Sequence, residues 1–235
     1  MKGQLFIIPI PISDHQFERV LSPYTIDIAK SLRCFVVEKV KTARQFLRKI
    51  DRTFPIDDST FYELNKHNAY SFEQDVLNQL NNGVDVGVMS EAGYPGIADP
   101  GNGVVQLAHQ NDIKVVPLIG PSSIFLALAT SGLNGQGFTF NGYLPKIDSE
   151  RIRKIKDLCQ LVTTTGYAQI FIETPYRNQA IFDSILKHSG ADIQLTVAKD
   201  ITGEEEFIVT QSIEEWKNAN LKFDKSPTVF ILGQF

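Results

Sequence analysis

Hydrophobic and polar positions along the chain fall into alternating blocks. Short runs of consecutive apolar residues, such as VDVGVM at 84–89 and TVFIL at 228–232, predict buried strands. Between these runs, apolar residues recur at the spacing of an amphipathic helix. The predicted strands are 4–8, 33–37, 84–89, 114–118, 138–143, 168–173, 194–198, 206–210 and 228–232, and the predicted helices are 16–31, 41–50, 71–82, 102–111, 122–131, 149–162, 177–188 and 212–218.

This alternation predicts an α/β fold. Continuously apolar strands between amphipathic helices are typical of a mostly parallel sheet that helices cover on both faces. The pattern of strands changes near the end of the chain, where EFIVT and TVFIL favour antiparallel strands and hence a mixed sheet. The stretch LIGPSS interrupts the alternation near residue 119. We therefore predict two α/β domains, 1–118 with a mostly parallel sheet and 119–235 with a mixed sheet.

Composition narrows the class of protein. The 235 residues are 43% hydrophobic and 21% charged, which is ordinary for a globular protein. The two cysteines, Cys34 and Cys159, stand far apart, which favours a reducing compartment over a disulfide frame or a zinc site. The four histidines show no metal-ligand spacing, so no metal is predicted. The longest apolar run, LFIIPIPI at 5–12, is too short to span a bilayer, so we expect a cytoplasmic protein without a membrane anchor.

The net charge of −4 argues against nucleic-acid binding by overall electrostatic attraction, but the basic residues are concentrated on two predicted helices. In helix 41–50 and just beyond it, Lys41, Arg44, Arg48 and Arg52 recur on a face away from the apolar set Ala43, Phe46, Leu47 and Ile50. In helix 149–162, Arg151, Arg153, Lys154 and Lys156 flank the apolar set Ile152, Ile155, Leu158 and Leu161. Two interpretations stay open: solvated helix faces, or surfaces that contact phosphates.

Three loops are rich in glycine or proline and follow predicted strands. They are PIPISD at 9–14, SEAGYPGIADPG at 90–101 and IGPSS at 119–123. Open α/β sheets bind ligands beyond the carboxyl ends of their strands. Glycine permits close backbone approach and proline fixes the shape of a loop. Because the chain has neither GxxxxGK[ST] nor GxGxxG, these loops predict a cleft for a ligand of mixed polarity rather than a nucleotide-phosphate cradle.

Several stretches are similar to one known family. SEAGYPGIADPG, VVPLIGPSSIFLALATSGL, FTFNGYLPKIDSER and FIETPYRN keep an order and spacing that resemble the tetrapyrrole-methylase-like superfamily of S-adenosylmethionine methyltransferases. Within it they are most similar to the ribosomal RNA small-subunit methyltransferase I family, which methylates the 2′-hydroxyl of a cytidine. The resemblance covers nearly the whole chain. It implies two α/β domains with the cofactor cleft between them, a homodimer, and S-adenosyl-L-methionine as methyl donor, released as S-adenosyl-L-homocysteine.

The resemblance also implies roles for individual residues. SEAG at 90–93 corresponds to the family's Ser-Asp-Ala-Gly, and GPSS at 120–123 to the stretch that meets the methionine part of the cofactor. The implied cofactor-binding residues are Pro11, Glu91, Ala92, Gly93, Pro95, Gly120, Pro121, Ser122, Ser123, Gly132 and Leu133. The implied catalytic candidates are Glu38, Arg44, Glu173 and Arg177. A hydroxyl acceptor needs a base, for which Asp99 and Glu206 are further candidates beside Glu38 and Glu173, with Lys199 a further cation.

Departures from the family keep three functions open. The first loop, IPIPISD, lacks the glycine and asparagine of the family's Ala-Thr-Pro-Ile-Gly-Asn-Leu; VEKVK at 37–41 keeps only the glutamate of Ala-Glu-Asp-Thr-Arg. Cofactor-side motifs are retained, whereas acceptor-side motifs have drifted, as in a short divergent paralogue. We predict a ribose 2′-O-methyltransferase that acts in ribosomal RNA processing, with ribosomal RNA or the small ribosomal subunit as partner. The alternatives are a methyltransferase acting on a small molecule such as a tetrapyrrole, and a non-catalytic S-adenosylmethionine-binding paralogue.

Overall fold

The computed structural model describes residues 1–13, 17–64 and 69–235 and divides the chain into two compact units, Met1–Ser122 and Ser123–Phe235. Residues 14–16, which include the end of the predicted first loop and the start of helix 16–31, lie outside the described residues, as do two of the four histidines, His15 and His67. No helix in the described ranges is long and apolar enough to cross a membrane.

The first unit is a parallel sheet between two layers of helices. Its elements are β1 (Leu5–Ile7), α1 (Phe17–Val20), α2 (Pro23–Ser31), β2 (Cys34–Val37), α3 (Val40–Ile50), β3 (Thr60–Glu63), α4 (Ala69–Asn81), β4 (Val86–Met89), α5 (Asn102–Gln110) and β5 (Val115–Pro117). The strand order is β3-β2-β4-β1-β5, and each of these neighbouring pairs is parallel. The predicted parallel sheet is confirmed.

Both faces of this sheet are buried. On one face, α2 and α3 pack on a cluster that includes Phe6, Phe35 and Leu47. On the other, α4 and α5 pack on a cluster that includes Val88 and Val104. Burial on both faces explains why β1, β2 and β4 read as continuously apolar runs rather than as alternating ones.

The second unit carries the predicted mixed sheet. Its elements are α6 (Ser123–Ser131), β6 (Phe138–Tyr143), α7 (Asp148–Thr165), β7 (Ala168–Glu173), α8 (Asn178–His188), β8 (Gln194–Lys199), β9 (Phe207–Ser212), α9 (Ile213–Asn218) and β10 (Thr228–Gly233). In the order β6-β7-β10-β8-β9 only the pair β6–β7 is parallel. A cluster with Trp216 lies on the face of α7, α8 and α9, and the indole donates to the Leu195 carbonyl at 2.8 Å. The predicted fold class is thus confirmed.

Four sequence predictions differ from the structure. The helix predicted at 16–31 is wrong as one helix: Ser22 caps a new helix by accepting from the Thr25 amide at 3.1 Å, and proline at the next position cannot continue a helix from before it. The predicted helix 177–188 begins at residue 178, after a 3-10 turn. The pattern does not predict β3, a four-residue edge strand with exposed ends. In α7 the buried set is Ile155, Leu158 and Val162, and Leu161 is exposed.

Candidate functional site

Three loops leave the carboxyl edge of the first sheet side by side. β4, β1 and β5 are consecutive in the strand order, and they are followed by segments 90–101, 8–13 and 118–122. The chain leaves β1 toward the face that carries α2 and α3, and it leaves β4 toward the face that carries α4 and α5. Neighbouring strands whose connections diverge in this way form the crevice in which open α/β sheets bind ligands. The structure therefore brings the three predicted loops to one edge.

Hydrogen bonds fasten these loops to one another and to the helix layer. Ile10 and Gly93 exchange two backbone hydrogen bonds, with nitrogen–oxygen distances of 3.0 and 3.1 Å. The Tyr94 hydroxyl donates to the Leu118 carbonyl. The buried Thr25 hydroxyl donates to the carbonyl of residue 119 at 2.8 Å. Loops held in this way lose little conformational entropy when a ligand binds.

Two glycines in these loops are required for different reasons. Gly93 has a φ of 67°, the left-handed region that side chains disfavour, while an added Cβ would have only an ordinary contact of 3.6 Å with the Pro121 carbonyl oxygen. A Cβ on Gly120 would instead lie 2.3 Å from Cγ of the buried Pro9. Gly120 therefore permits the third loop to pack directly on the first.

The other predicted residues of this unit differ in exposure. Pro95, Pro121 and Ser122 are buried, Pro11 and Glu91 are half-buried, and Ala92 is exposed. The side chains of the buried residues shape the loops, so a ligand would meet mainly the backbone around them.

Charged side chains converge where β2 and β4 end. The Lys39 ammonium lies 2.5 Å from Glu91 Oε2, and the Thr42 hydroxyl donates to Glu91 Oε1 at 2.9 Å. The Glu91 amide donates to Glu38 Oε2 at 3.2 Å. The hydrogen bond from Lys39 holds the pKa of Glu91 below its usual range. The sequence prediction named Glu38 and Glu91 but missed Lys39 and Thr42. Lys39 directly follows Glu38 and is opposite in charge to Glu91, which was the signal that could have identified it.

Asp99 adds a carboxyl of different character to the same loop. It is half-buried, and burial, reinforced by the negative charge of Glu38, raises its pKa to about 6. A hydrogen bond with Ser90 opposes this rise, and the charge of Glu91 adds to it. Of the carboxylates predicted as bases, Asp99 is one whose environment moves its pKa toward neutrality, where a general base works best.

α3 presents three different faces. Ala43, Phe46, Leu47 and Ile50 are buried, as predicted. Thr42 and Gln45 line a pocket whose other walls include Pro11 and Glu91. Lys41, Arg44 and Arg48 form an exposed outer face, and the Arg44 guanidinium lies 5.3 Å from the Phe61 ring centroid. Arg52 is exposed as well but lies beyond the end of the helix, so it is not part of the helical face.

In the second unit, the candidates Glu173 and Arg177 are paired with each other. Glu173 is 5% exposed, and its Oε2 lies 3.1 Å from Arg177 Nη1, a charge contact outside hydrogen-bond geometry. Glu173 Oε1 accepts from the Thr174 amide at 2.8 Å, and Arg177 Nη2 donates to the Pro145 carbonyl at 3.2 Å. Since the carboxylate is buried and paired, these contacts fasten the turn after β7.

Other candidate charges of the second unit are also engaged. Lys199 pairs with Asp224 at 3.0 Å, and Arg151 pairs with Asp148 at 2.5 Å. Glu206 accepts a backbone amide hydrogen bond at 2.7 Å. The basic set predicted on α7 is therefore partly neutralised, whereas Arg153 and Lys156 remain exposed.

The predicted residues around α6 have a clear structural role. Ser123 is the first residue of the helix. At its end the Ser131 hydroxyl accepts from the Leu133 amide at 3.0 Å, Gly132 has a φ of 74°, and Leu133 is buried in the core. A glycine in this conformation is a common helix terminator. The SGL motif therefore ends α6 and turns the chain toward β6.

Sequence comparisons connect the chain to one group of enzymes, although no protein-family model matches it. A ribosomal RNA small subunit methyltransferase I of Vibrio cholerae serotype O1 is 30% identical over 198 residues, which are 84% of this chain and 65% of that protein. The protein of the same name from Buchnera aphidicola is 27% identical over an alignment of 240 positions, which covers 99% of this chain and 79% of that protein. The chain thus spans about two thirds of the length of the Vibrio relative.

Structure comparisons agree on the fold. Uroporphyrin III C-methyl transferase of Thermus thermophilus aligns with a TM-score of 0.60 at 12% identity, covering 98% of this chain and 97% of that one. The methyltransferase CobJ aligns with a TM-score of 0.62 at 14% identity, covering 99% and 94%. The cobalt precorrin-4 methyltransferase CbiF aligns with a TM-score of 0.61 at 13% identity, covering 98% and 94%. The chain has the tetrapyrrole methylase fold and is a relative in sequence of the ribosomal RNA small subunit methyltransferase I proteins.

Proposed function

We propose that the chain is an S-adenosylmethionine-dependent methyltransferase that modifies a ribose 2′-hydroxyl in the RNA of the small ribosomal subunit. The observation that carries the proposal is the set of three mutually bonded loops at the carboxyl ends of β4, β1 and β5. The names of the sequence relatives support methyl transfer to small-subunit ribosomal RNA, and the ribose 2′-hydroxyl is what the resemblance to that family implies.

The residues at this edge suit the methyl donor. Gly93 leaves backbone without a side chain, and the pair of bonds between Ile10 and Gly93 keeps that backbone in place, while Gly120 lets the third loop pack against Pro9. Pro11, Glu91, Ala92 and Pro95 would border the donor from the first two loops, and Pro121, Ser122 and Ser123 from the third. When bound, S-adenosylmethionine supplies an activated methyl group. The chain must align an acceptor with it, and alignment supplies much of the rate of such a transfer.

A ribose acceptor requires groups that bind phosphate and a group that accepts a proton. Lys41, Arg44 and Arg48 offer cations on the outer face of α3, in the same unit as the loops. Asp99 and Glu38 lie in that unit too, and the raised pKa of Asp99 fits the proton acceptor. Glu38 accepts from the Glu91 amide and holds the loop in place.

The second candidate function is methyl transfer to a small molecule such as a tetrapyrrole. Its specific support is the net charge of −4, which weakens long-range attraction of RNA, together with a fold that does not by itself determine the acceptor. A non-catalytic cofactor-binding protein is the third, because the first loop, IPIPISD, lacks the glycine and asparagine of the family pattern that the chain resembles.

Assembly and location form part of the proposal. We propose a homodimer with twofold symmetry, the commonest arrangement of soluble oligomers. We also propose a cytoplasmic protein, where small ribosomal subunits are available. Both cysteines are free thiols, which suits a reducing compartment.

The donor site is tested by calorimetry with S-adenosylhomocysteine. Gly93→Val should abolish binding, and Gly166→Val serves as a matched control because Gly166 has a similar φ of 70° at the end of α7. Both substitutions should cost stability through backbone strain, on the order of 1–2 kcal/mol. Unchanged affinity of Gly93→Val would refute this assignment.

The acceptor is tested by incubating the full chain with S-adenosylmethionine carrying a labelled methyl group and small ribosomal subunits from a strain that lacks the protein. We expect label in ribosomal RNA at a position that resists alkaline cleavage, because a methylated 2′-hydroxyl cannot attack its own phosphodiester. Label in a small-molecule fraction instead would favour the tetrapyrrole-like alternative. Cofactor binding without transfer to either fraction would favour the non-catalytic one.

A further inference from the structure

The link between α3 and loop 90–101 has a defined geometry. Both carboxylate oxygens of Glu91 are engaged from the start of α3, Oε2 by the Lys39 ammonium at 2.5 Å and Oε1 by the Thr42 hydroxyl at 2.9 Å. The Glu91 amide donates to Glu38 Oε2 at 3.2 Å, and the Glu38 amide donates to the Met89 carbonyl at 3.2 Å. The first residues of the loop are therefore attached by backbone and by side chain.

Strand register explains why residues 52 positions apart meet here. β2 and β4 are adjacent and parallel, and Val37 is paired with Met89. Both strands end at this pair, so Lys39 and Glu91, each two residues later, emerge side by side. Lys39 is extended, with a φ of −137°, and α3 begins at the next residue.

The electrostatic surroundings keep both partners charged at neutral pH. The contact with Glu91 raises the pKa of Lys39, and the nearby Glu38 and Glu63 raise it further. The contacts with Lys39 and Thr42 lower the pKa of Glu91, against the effect of its partial burial. Without Lys39, Glu91 would keep the carboxyls of Glu38 and Asp99 near it, both of its own sign.

The other side of the same segment is attached to the first and third loops, through Gly93 to Ile10 and through Tyr94 to Leu118. We propose that Lys39 and Glu91 are positioning residues, and that their ion pair sets the affinity of loop 90–101 for its ligand by holding the loop in its receptive conformation. This inference rests on the proposed function for the identity of the ligand. It assigns Glu91 a role through the loop backbone, because both of its oxygens are already bound within the protein.

The exposure of the Lys39–Glu91 pair determines how much its loss weakens ligand binding and how strongly the affinity depends on salt. The side chains of Lys39 and Glu91 are 62% and 34% exposed, so salt screens their attraction. We expect removal of either partner to weaken binding of S-adenosylhomocysteine by about two- to fivefold, the range of an exposed ion pair. The affinity of the wild-type chain should fall with salt, although this ligand has no net charge at neutral pH.

The test uses Lys39→Met, Glu91→Gln and the double variant, with Lys114→Met as a matched control. Lys114 is an exposed lysine just before β5, at the amino ends of the strands and therefore away from the three loops, which follow the carboxyl ends. Affinity for S-adenosylhomocysteine is measured by calorimetry at about 50 mM and about 300 mM potassium chloride, between which the screening length differs about 2.4-fold. Hydrogen exchange of segment 90–101 is measured without ligand.

The inference predicts that the double variant is no weaker in binding than the single variants, because the pair acts as a unit. The fall of affinity with rising salt should disappear in all three, and segment 90–101 should exchange faster, while Lys114→Met behaves as wild type. Additive losses, an affinity that still falls with salt, or unchanged exchange would overturn it. A wild-type chain that does not bind S-adenosylhomocysteine would refute the proposed donor instead, and the exchange measurement would then still decide whether the pair holds the loop.

Discussion

Replacing Gly120 by alanine tests why the third loop carries a glycine. An added Cβ would lie 2.3 Å from Pro9 Cγ, 2.6 Å from Pro9 Cβ and 3.1 Å from Leu21 Cδ2. Carbon atoms prefer separations of about 3.5–4.0 Å, so one loop would have to move by about 1 Å. Pro9 is buried and its ring is rigid, so it cannot turn away as a long side chain could.

The expected cost follows from this overlap. Overpacking of a close-packed region costs about 1–3 kcal/mol. Alanine also restricts the unfolded chain, which returns about 0.4–1 kcal/mol. We therefore expect Gly120→Ala to lower the free energy of unfolding by about 1–2 kcal/mol and to weaken binding of S-adenosylhomocysteine, because the displaced loop adjoins the first.

Gly103→Ala provides a matched control with the opposite sign. Gly103 lies in α5 of the same unit, is exposed, and has no atom within 4 Å of an added Cβ. Alanine there should stabilise the helix by about 0.5–1 kcal/mol. Urea unfolding followed by far-UV circular dichroism measures both changes, and the fluorescence of Trp216 records the second unit separately. A Gly120→Ala chain as stable as the Gly103→Ala chain would refute the packing argument.

Three further predictions concern charge and assembly. Burial raises the pKa of Asp99 from 3.8 to about 6, so folding favours the neutral carboxyl over the carboxylate. The free energy of unfolding therefore falls as the pH rises from about 4 to about 6. Asp99→Asn should therefore be more stable than wild type at pH 7.5, by about 1 kcal/mol after allowing for partial exposure, and nearly equal to it near pH 4. Equal differences in urea unfolding at the two pH values would contradict this. Three phosphate contacts, by Lys41, Arg44 and Arg48, predict that RNA affinity falls with salt at a log–log slope of about −2, and Arg44→Glu with Arg48→Glu should reduce the slope by about 1.4 without changing cofactor affinity. A slope unchanged by that double variant would remove the support for RNA binding by α3. Light scattering at micromolar concentration should report a dimer, and a monomer would contradict the proposed assembly.

Local pattern was sufficient for much of the fold. A strand that is buried on both faces is apolar at consecutive positions, and this pattern is visible in its own residues. The apolar runs at β1, β2 and β4 therefore indicated a parallel sheet covered by helices. The buried face of α3 was predictable for the same reason, since residues three and four apart share a face. The break before α2 was also present locally, as Ser22 followed by proline, although the predicted helix ran through it.

Residue patterns along the chain were therefore sufficient to predict the parallel and mixed sheets and the loops rich in glycine and proline. Which distant residues meet was not predictable from them, because it depends on the order of the strands. The order β3-β2-β4-β1-β5 places β2 beside β4, and this adjacency alone brings Lys39 to Glu91. The same holds for Gly120, whose glycine is required by a proline 111 positions earlier, and for Asp99, whose pKa depends on burial and on Glu38. Periodicity is a property of neighbours along the chain, whereas close packing and burial depend on strand order, which no local window contains.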